Sequence, residues 1–294
     1  MRSHLSFARS LLLFGMLLLV VGCARRADAT TSTSQETIEN KGSDTLVNLA
    51  LAWAERYMQE HPEARISVTG GGSGTGIAAM INGTVDIANA SREMKPEEIA
   101  EAKANGIPPV EHVVARDAIA VVVNPSNPVD VLTVQQLSDM YTGKITNWKE
   151  VGGENRPIVL TSRESNSGTH VYFLETVVRL GDAKAPLFFA PDTLLLPSSE
   201  VISLEVSRNP NAIGYDGLGY VTANQKVVAV SPGPGQPGVP PSIATVNAGT
   251  YPIARPLYMY TAGEPEGQIR AYLDWILGPE GQQLVKELGF VPLQ

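Results

Sequence analysis

Apolar and polar residues follow two periods along this chain, and the two periods predict alternating helices and strands. After residues 42–45, which supply capping residues, the apolar side chains recur at helical spacing. These side chains are Leu46, Leu49, Ala50, Trp53 and Tyr57. A continuous apolar run over residues 118–123 is instead typical of a strand buried on both faces. The alternation predicts an α/β fold.

The same patterns continue to the end of the chain. They predict strands over residues 65–69, 85–90, 118–123, 158–161, 212–215 and 252–260. They predict helices over residues 75–81, 134–141, 168–178, 200–206, 266–277 and 279–288, and one beginning near Pro96. Residues 231–242 contain five prolines and three glycines, which indicates a surface loop. The apolar strands around 115–123 and 253–260 are candidate crossovers between two lobes.

The N-terminus has the pattern of a targeting segment. Residues 1–22 have a basic start and then an apolar run, over residues 11–21, that is short for a membrane span. The run ends in Val-Val-Gly before Cys23, which resembles a bacterial lipobox, in which cleavage leaves the cysteine as a lipidated N-terminus. An ordinary signal peptide followed by a chance cysteine is the alternative. Residues 23–37 would then be the lipidated cysteine and a flexible tether.

The amino-acid composition excludes cysteine chemistry in the folded body and disfavours nucleic-acid binding. Cys23 is the only cysteine, so disulfides, thiolate metal sites and a cysteine nucleophile are excluded from the folded body. The net charge is −8, and removal of the leader with its two basic residues makes it −10. Such an acidic protein is a poor partner for nucleic acid. Affinity for an anion must therefore come from a local site.

The tripeptide Ser-Gly-Thr occurs at residues 73–75 and again at 167–169, each time leading into a predicted helix. A helix N-terminus offers unpaired N–H groups and partial positive charge, and glycine lets an anion approach them. Two such segments predict a small oxyanion held between two lobes. Arg163 precedes the second segment by four residues and could grip two oxyanion oxygens. A surface arginine beside Glu164 is an equally good interpretation of the spacing.

Signatures of other functions are weak. The glycine run over residues 70–76 fits neither a Walker A loop nor a dinucleotide fingerprint, which disfavours nucleotide binding. His61, His112 and His170 lack metal-ligand spacing, and no nucleophile elbow surrounds either serine. The sequence therefore predicts a binding protein without catalytic residues, metal or cofactor.

Asp86 is a polar residue in an otherwise apolar strand. A carboxylate beside an anion is useful only when the ligand carries a proton to donate, as hydrogen phosphate does. An aspartate that caps the next turn is the alternative.

Several segments together resemble the phosphate-binding (PstS-type) lipoproteins of bacterial ABC transporters. The matching pieces are residues 42–46, 72–76, 84–88, Arg163 with 167–169, 213–215 and 219–221. With the lipobox they cover nearly the whole mature chain in the family's order.

The resemblance implies a two-lobed type II periplasmic-binding-protein fold that closes on orthophosphate. Lobe 1 would comprise residues 38–118 and 256–294, lobe 2 would comprise 119–255, and two crossover strands would join them. The implied phosphate-binding residues are Thr45, Leu46, Ser73, Asp86, Arg163, Ser167, Gly168 and Thr169. Among these, Asp86 would accept the ligand's proton. Ser165 departs from the family, which often has an aspartate there as the partner of the arginine. Either Glu164 would take that role, or Arg163 would be less constrained.

The predicted function is a non-enzymatic, monomeric phosphate receptor at the bacterial cell envelope. It would be anchored to the membrane through Cys23 and would deliver inorganic phosphate to the permease of an ABC transporter, without binding nucleic acid. The alternatives are a receptor for sulfate, molybdate or another tetrahedral oxyanion, a phosphatase on the same scaffold, and an adhesin or signalling component.

Overall fold

A mixed β-sheet forms the centre of the computed structural model, which describes residues 36–293. The strands are β1 (Ile38–Gly42), β2 (Ile66–Thr69), β3 (Ile87–Ala90), β4 (Pro109–Val123), β5 (Val131–Thr133), β6 (Val159–Arg163), β7 (Leu194–Leu196), β8 (Ala212–Gly217), β9 (Lys226–Ser231) and β10 (Ala254–Ala262). They lie in the order β2-β1-β3-β10-β4-β8-β6-β7, and β9 joins β5 to β4. β10 is antiparallel to both of its neighbours.

Helices connect most of these strands. The α-helices are α1 (Asp44–Glu60), α2 (Ser73–Ile81), α3 (Pro96–Ala104), α4 (Val134–Tyr141), α5 (Gly168–Phe173), α6 (Ser199–Arg208), α7 (Ile243–Asn247), α8 (Gly267–Leu277) and α9 (Pro279–Glu287). A π-helical turn, Leu174–Val178, continues α5. Because α1 repeats its apolar residues every three to four positions, it buries one whole face, and its Trp53 Nε1 donates to the Gly281 carbonyl at 2.8 Å.

The long strand β4 is shared by the two halves of the sheet. Its first part, as far as Ala118, pairs with β10, whereas Ile119–Val123 pairs with β8. The two apolar strands predicted as crossovers are therefore adjacent and antiparallel. The lobe boundaries at residues 118/119 and 255/256 stay a prediction.

The two largest apolar clusters among the described residues each include a different part of β4. One cluster packs α1 against α8 and α9 around Trp53 and Tyr272. The other packs α4 and α5 against β8, where the Phe173 and Tyr215 rings stack with centroids 3.6 Å apart. These clusters hold the starts of α1 and α5 in fixed positions, and those helix starts carry five of the eight predicted binding residues, Thr45, Leu46, Ser167, Gly168 and Thr169.

The long amphipathic elements agree with the sequence patterns, and the short strands β2, β3, β6 and β8 lie at or near their predicted positions. The helix predicted over 134–141 has those bounds in α4, while the helix predicted over 168–178 is α-helical only to Phe173. The patterns missed β1, β5, β7, β9 and α7. These missed elements have three to six residues each, and segments of that length carry only a weak periodic signal.

The predicted leader (residues 1–22), Cys23 and most of the predicted tether lie outside the described residues. Within residues 36–293, none of the helices has the length and apolar character needed to cross a membrane.

Candidate functional site

The N-termini of α1, α2 and α5 meet at one place in the structure. The Thr45 and Thr169 hydroxyl oxygens lie 2.7 Å apart, which joins the start of α1 to the start of α5. The Gly74 N–H of α2 donates to the Asn166 carbonyl, just before α5, at 3.0 Å. The two Ser-Gly-Thr segments are therefore neighbours, although 94 positions separate them in the sequence. Helix N-termini direct N–H groups and partial positive charge toward their common point.

Two further hydroxyls line this point from the α2 side. Ser73 Oγ accepts a hydrogen bond from the Ser91 N–H at 3.0 Å and lies 3.3 Å from Ser91 Oγ, and both residues are buried. Gly168 packs directly against them, since a Cβ atom there would lie 2.3 Å from Ser73 Oγ and 2.5 Å from Ser91 Oγ. Only glycine allows α5 to approach α2 this closely.

Ser167 and Leu46 contribute through the local geometry of their helices. Ser167 is the N-cap of α5, and its hydroxyl accepts from the Thr169 N–H at 3.2 Å. The Leu46 side chain is buried in the core, and its N–H donates to the Ser43 carbonyl at 3.1 Å. The side chain at position 46 therefore has no part in the site, and only its N–H is available to exchange this contact for a ligand.

Arg163, at the end of β6, is buried and pairs with a carboxylate from the opposite side of the cluster. Its Nη2 lies 2.9 Å from Asp44 Oδ2 and donates to the Pro197 carbonyl at 2.8 Å, while Nη1 donates to Ser199 Oγ at 3.1 Å. The alternative in which Glu164 takes the role of the family's usual aspartate is wrong, because Glu164 is exposed and the Arg163 guanidinium is paired with Asp44. Sequence reasoning had assigned Asp44 only to helix capping.

The structure contradicts the role predicted for Asp86. Its Oδ2 accepts from the Glu39 N–H at 2.8 Å, at the amino end of β3, whereas Ser91 follows the carboxyl end of that strand. Four strand residues span roughly 13 Å. Asp86 lines a pocket with Thr37 and Glu266 at the amino ends of β1 and β3, so it cannot contact a ligand held by the hydroxyl cluster.

Arg255 and Asp117 belong to the site but were missed by sequence reasoning. They lie opposite each other on β10 and β4, with Arg255 Nη2 3.0 Å from Asp117 Oδ2, and both are buried. Arg255 Nη2 also donates to Thr169 Oγ1 at 2.8 Å, and Nη1 donates to the Ser91 carbonyl at 2.8 Å. The available signal was a charged residue within each apolar strand, since buried charges need a partner.

A third carboxylate, Asp216 at the end of β8, lies behind Arg163. Its Oδ1 accepts from Ser199 Oγ and from the Gly217 N–H, both at 2.8 Å. Its Oδ2 is buried without a hydrogen-bond partner among the described residues. Burial raises the pKa of Asp216 to about 7, although the nearby Arg163 opposes that rise. The charge state of the Asp216 carboxyl group therefore contributes to the electrostatic potential around Arg163.

His170 directly follows Thr169 but takes no part in the cluster. Its Nδ1 lies 3.0 Å from Ser162 Oγ, and burial lowers the pKa of its imidazole. Over residues 36–293, no group of three or more His, Cys, Asp or Glu side chains is placed to hold a metal ion.

Known proteins resemble this chain over most of its length. A family model described as a PBP superfamily domain matches residues 27–280. The phosphate-binding protein PstS of Bacillus subtilis is 32% identical over 293 residues, which cover 96% of this chain and 92% of that protein. The phosphate-binding protein PstS of Pseudomonas aeruginosa is 34% identical over 273 residues, which cover 87% and 83%.

Solved structures agree with these relatives. A Clostridium perfringens crystal structure with bound phosphate has a TM-score of 0.78 and 33% identity, covering 88% of this chain and all of that one (100%). An ABC-type phosphate transport receptor from Vibrio cholerae has a TM-score of 0.70 and 29% identity, covering 87% and 100%. The predicted α/β fold of the type II periplasmic-binding-protein class is thus confirmed. The chain belongs to the PstS-type phosphate-binding proteins of the PBP superfamily.

Proposed function

We propose that this protein binds inorganic phosphate at the meeting point of α1, α2 and α5 and delivers it to the permease of an ABC transporter. The observation that carries the proposal is the convergence of hydroxyl and N–H donors from both halves of the sheet. A tetrahedral oxyanion has acceptor oxygens in every direction, so donors on opposing helix starts suit it. We choose phosphate among the tetrahedral oxyanions because related proteins are named phosphate-binding proteins.

We propose that seven of the predicted residues hold the ligand. They are Thr45, Leu46, Ser73, Arg163, Ser167, Gly168 and Thr169, which supply hydroxyl, N–H and guanidinium donors. Their convergence in the fold supports the proposal. Bringing phosphate among them requires exchange of present contacts, such as that between the Thr45 and Thr169 hydroxyls.

The charges around the site indicate that neutral donors provide most of the affinity. Arg163 and Arg255 are each paired with a carboxylate, Asp44 and Asp117 respectively. The paired charges cancel at short range, so hydroxyl groups and helix N-termini carry the attraction for an anion. Selection of phosphate over sulfate cannot be assigned to Asp86, given its position.

Calorimetric titration of the folded body with phosphate, arsenate, sulfate and molybdate tests the ligand. We expect phosphate to bind, arsenate to compete because it shares the shape and protonation of phosphate, and sulfate and molybdate to bind far more weakly. Sulfate binding as tight as phosphate binding would replace the proposed ligand with a general tetrahedral oxyanion.

We further propose that the protein is not an enzyme. The serines of the cluster are engaged as donors and acceptors within helix starts, and His170 is turned toward Ser162. A phosphatase would need an activated nucleophile or a metal. Release of phosphate from a generic phosphomonoester, measured with the purified protein, would overturn this part of the proposal.

The remaining parts of the proposal concern the envelope. Residues 1–22 would be removed as a signal peptide, Cys23 would carry the lipid, and a monomer would operate outside the cytoplasm. Replacing Cys23 by serine should release the protein from the membrane fraction and abolish labelling with a radioactive fatty acid. Size-exclusion chromatography with light scattering tests the monomer.

A further inference from the structure

The Arg255 side chain links the start of α5, the loop after β3 and the crossover strand β4. Its guanidinium donates to the Ser91 carbonyl beyond β3, to Thr169 Oγ1 of α5 and to Asp117 on β4. The Arg255 side chain is 1% exposed, and its guanidinium also lies 5.3 Å from the Tyr172 ring centroid. Contacts on several sides fix the orientation of this planar group.

The donor character of arginine determines the role of the Thr169 hydroxyl. A guanidinium has only N–H donors, so Thr169 Oγ1 must accept in its 2.8 Å contact with Arg255. A threonine hydroxyl carries a single hydrogen, which is then directed to a different acceptor. In this structure the neighbouring oxygen is Thr45 Oγ1, at 2.7 Å.

We propose that Arg255 is a positioning residue that directs the Thr169 hydroxyl proton at the bound phosphate. The inference rests on the proposed function, and it adds Arg255, which lies outside the sequence segments that resemble the family. Asp117 and the Ser91 carbonyl hold the guanidinium, the guanidinium occupies a Thr169 lone pair, and the hydroxyl therefore meets the anion as a donor. A hydroxyl free to rotate would lose part of this contact, since it could also turn its proton elsewhere.

A purely structural role for Arg255 makes a different prediction. Because Asp117 is buried, it needs a cation, and an arginine that only neutralised it would affect phosphate through the overall stability of the fold. Its effect on binding would then be the same with or without a hydroxyl at position 169. The coupling between positions 255 and 169 separates the two roles.

A double-mutant cycle measures this coupling. Arg255→Gln is combined with Asp117→Asn, which removes both charges and leaves neither buried alone; Thr169→Val removes the hydroxyl at constant shape. Phosphate affinity is measured by calorimetry, and folding by circular dichroism, for the wild type, the charge-pair variant, Thr169→Val and the triple variant. Arg270→Gln, an exposed arginine paired with Asp274 on α8, is the matched control.

We expect the charge-pair change to weaken phosphate binding about tenfold when Thr169 is present and less than about threefold in the Thr169→Val background. A tenfold change corresponds to about 1.4 kcal/mol. Equal losses in both backgrounds, or wild-type affinity in the charge-pair variant, would overturn the proposal. Absence of phosphate binding by the wild type would instead overturn the proposed function.

A second variant keeps the test valid if the charge-pair variant does not fold. Arg255→Lys keeps a cation beside Asp117 but replaces the planar fork, which reaches three acceptors in fixed directions, by one flexible ammonium. We expect its phosphate affinity to fall in the presence of Thr169 and to change little in the Thr169→Val background. Loss of the same size in both backgrounds would show that Arg255 does not act through Thr169.

Discussion

Individual residues at the site are held by contacts that the chain makes across large sequence distances. Arg163 of β6 is paired with Asp44 of α1, and Arg255 of β10 is bonded to Thr169 of α5. Each pair joins different parts of the sheet. Changes at one of these positions should therefore alter ligand binding more than they alter local secondary structure.

Gly168→Ala should weaken phosphate binding by about tenfold or more, which is ~1.4 kcal/mol. The new Cβ atom would overlap Ser73 Oγ and Ser91 Oγ, so α5 could no longer approach α2. The free energy of unfolding should change little, because alanine favours the first turn of a helix and the two sides can separate. Calorimetry and urea unfolding measure the two effects.

Gly233→Ala is the control for this change, since the nearest atom to its Cβ would be Gln236 Nε2 at an ordinary 3.7 Å. Binding by Gly168→Ala within about twofold of wild type, or ~0.4 kcal/mol, would show that close approach at this point is unnecessary.

Arg163→Ala should weaken phosphate binding by about 2–5 kcal/mol, because truncation of one partner of a buried charged contact leaves the other unpaired. Arg163→Lys should recover part of the loss, since it keeps the charge without the bidentate fork. Titration of both variants with phosphate measures the effect. An alanine variant that binds within about twofold of wild type, or ~0.4 kcal/mol, would show that Arg163 neither contacts the phosphate nor shields it from the Asp44 carboxylate.

The sequence indicated only part of this site. The repeated Ser-Gly-Thr segments could be found because helix N-termini have local signatures. Asp86 was assigned wrongly because a polar residue in a short strand does not show which end of the strand faces the ligand. Arg255 and Asp117 were missed because their pairing depends on the register of β10 against β4, and that register is fixed by tertiary packing.

At the scale of elements, long amphipathic helices could be predicted with the best-defined bounds, whereas short strands were found in some cases, such as β2 and β3, and missed in others, such as β9. The amphipathic period of α1 and α4 extends over two or more turns and is readable from sequence. Two of the three residues in β7 are exposed, so that strand exists only because β6 lies beside it. In contrast to the largely exposed β7, all six residues of β8 are buried, although one of them is an aspartate.

The aspartate in β8 should make stability depend on pH. Burial raises the pKa of Asp216 to about 7 in the folded protein, against roughly 4 in the unfolded chain. Between these values the folded state holds a proton that the unfolded chain has lost. Stability from this group is therefore greatest at low pH and is lost as the pH rises toward 7, by up to about 1.4 kcal/mol per pH unit.

Urea unfolding between pH 5 and pH 8 tests this expectation. Asp216→Asn should flatten the decline in the free energy of unfolding relative to wild type, whereas Asp274→Asn, on the exposed face of α8, should leave it unchanged. The same slope in wild type and Asp216→Asn would mean that the carboxyl group is ionised throughout this range.

At the scale of the whole folded body, the donors lie on two halves of the sheet that share β4. Thr45 and Ser73 belong to the part of the chain before the predicted boundary at residue 118, and Thr169 to the part after it. Full coordination of a ligand therefore requires the two halves to meet, and β4 and β10 are the strands at which we expect them to turn.

Small-angle X-ray scattering should accordingly show a smaller radius of gyration for the wild type with phosphate than without it. Phosphate supplies contacts to both halves at once, so it favours the arrangement in which α1, α2 and α5 meet. Gly168→Ala should not contract at phosphate concentrations that saturate the wild type, because its Cβ keeps α5 away from α2, while Gly233→Ala should contract normally. Identical wild-type profiles with and without phosphate, in samples where calorimetry shows binding, would mean that the ligand enters a body that is already closed.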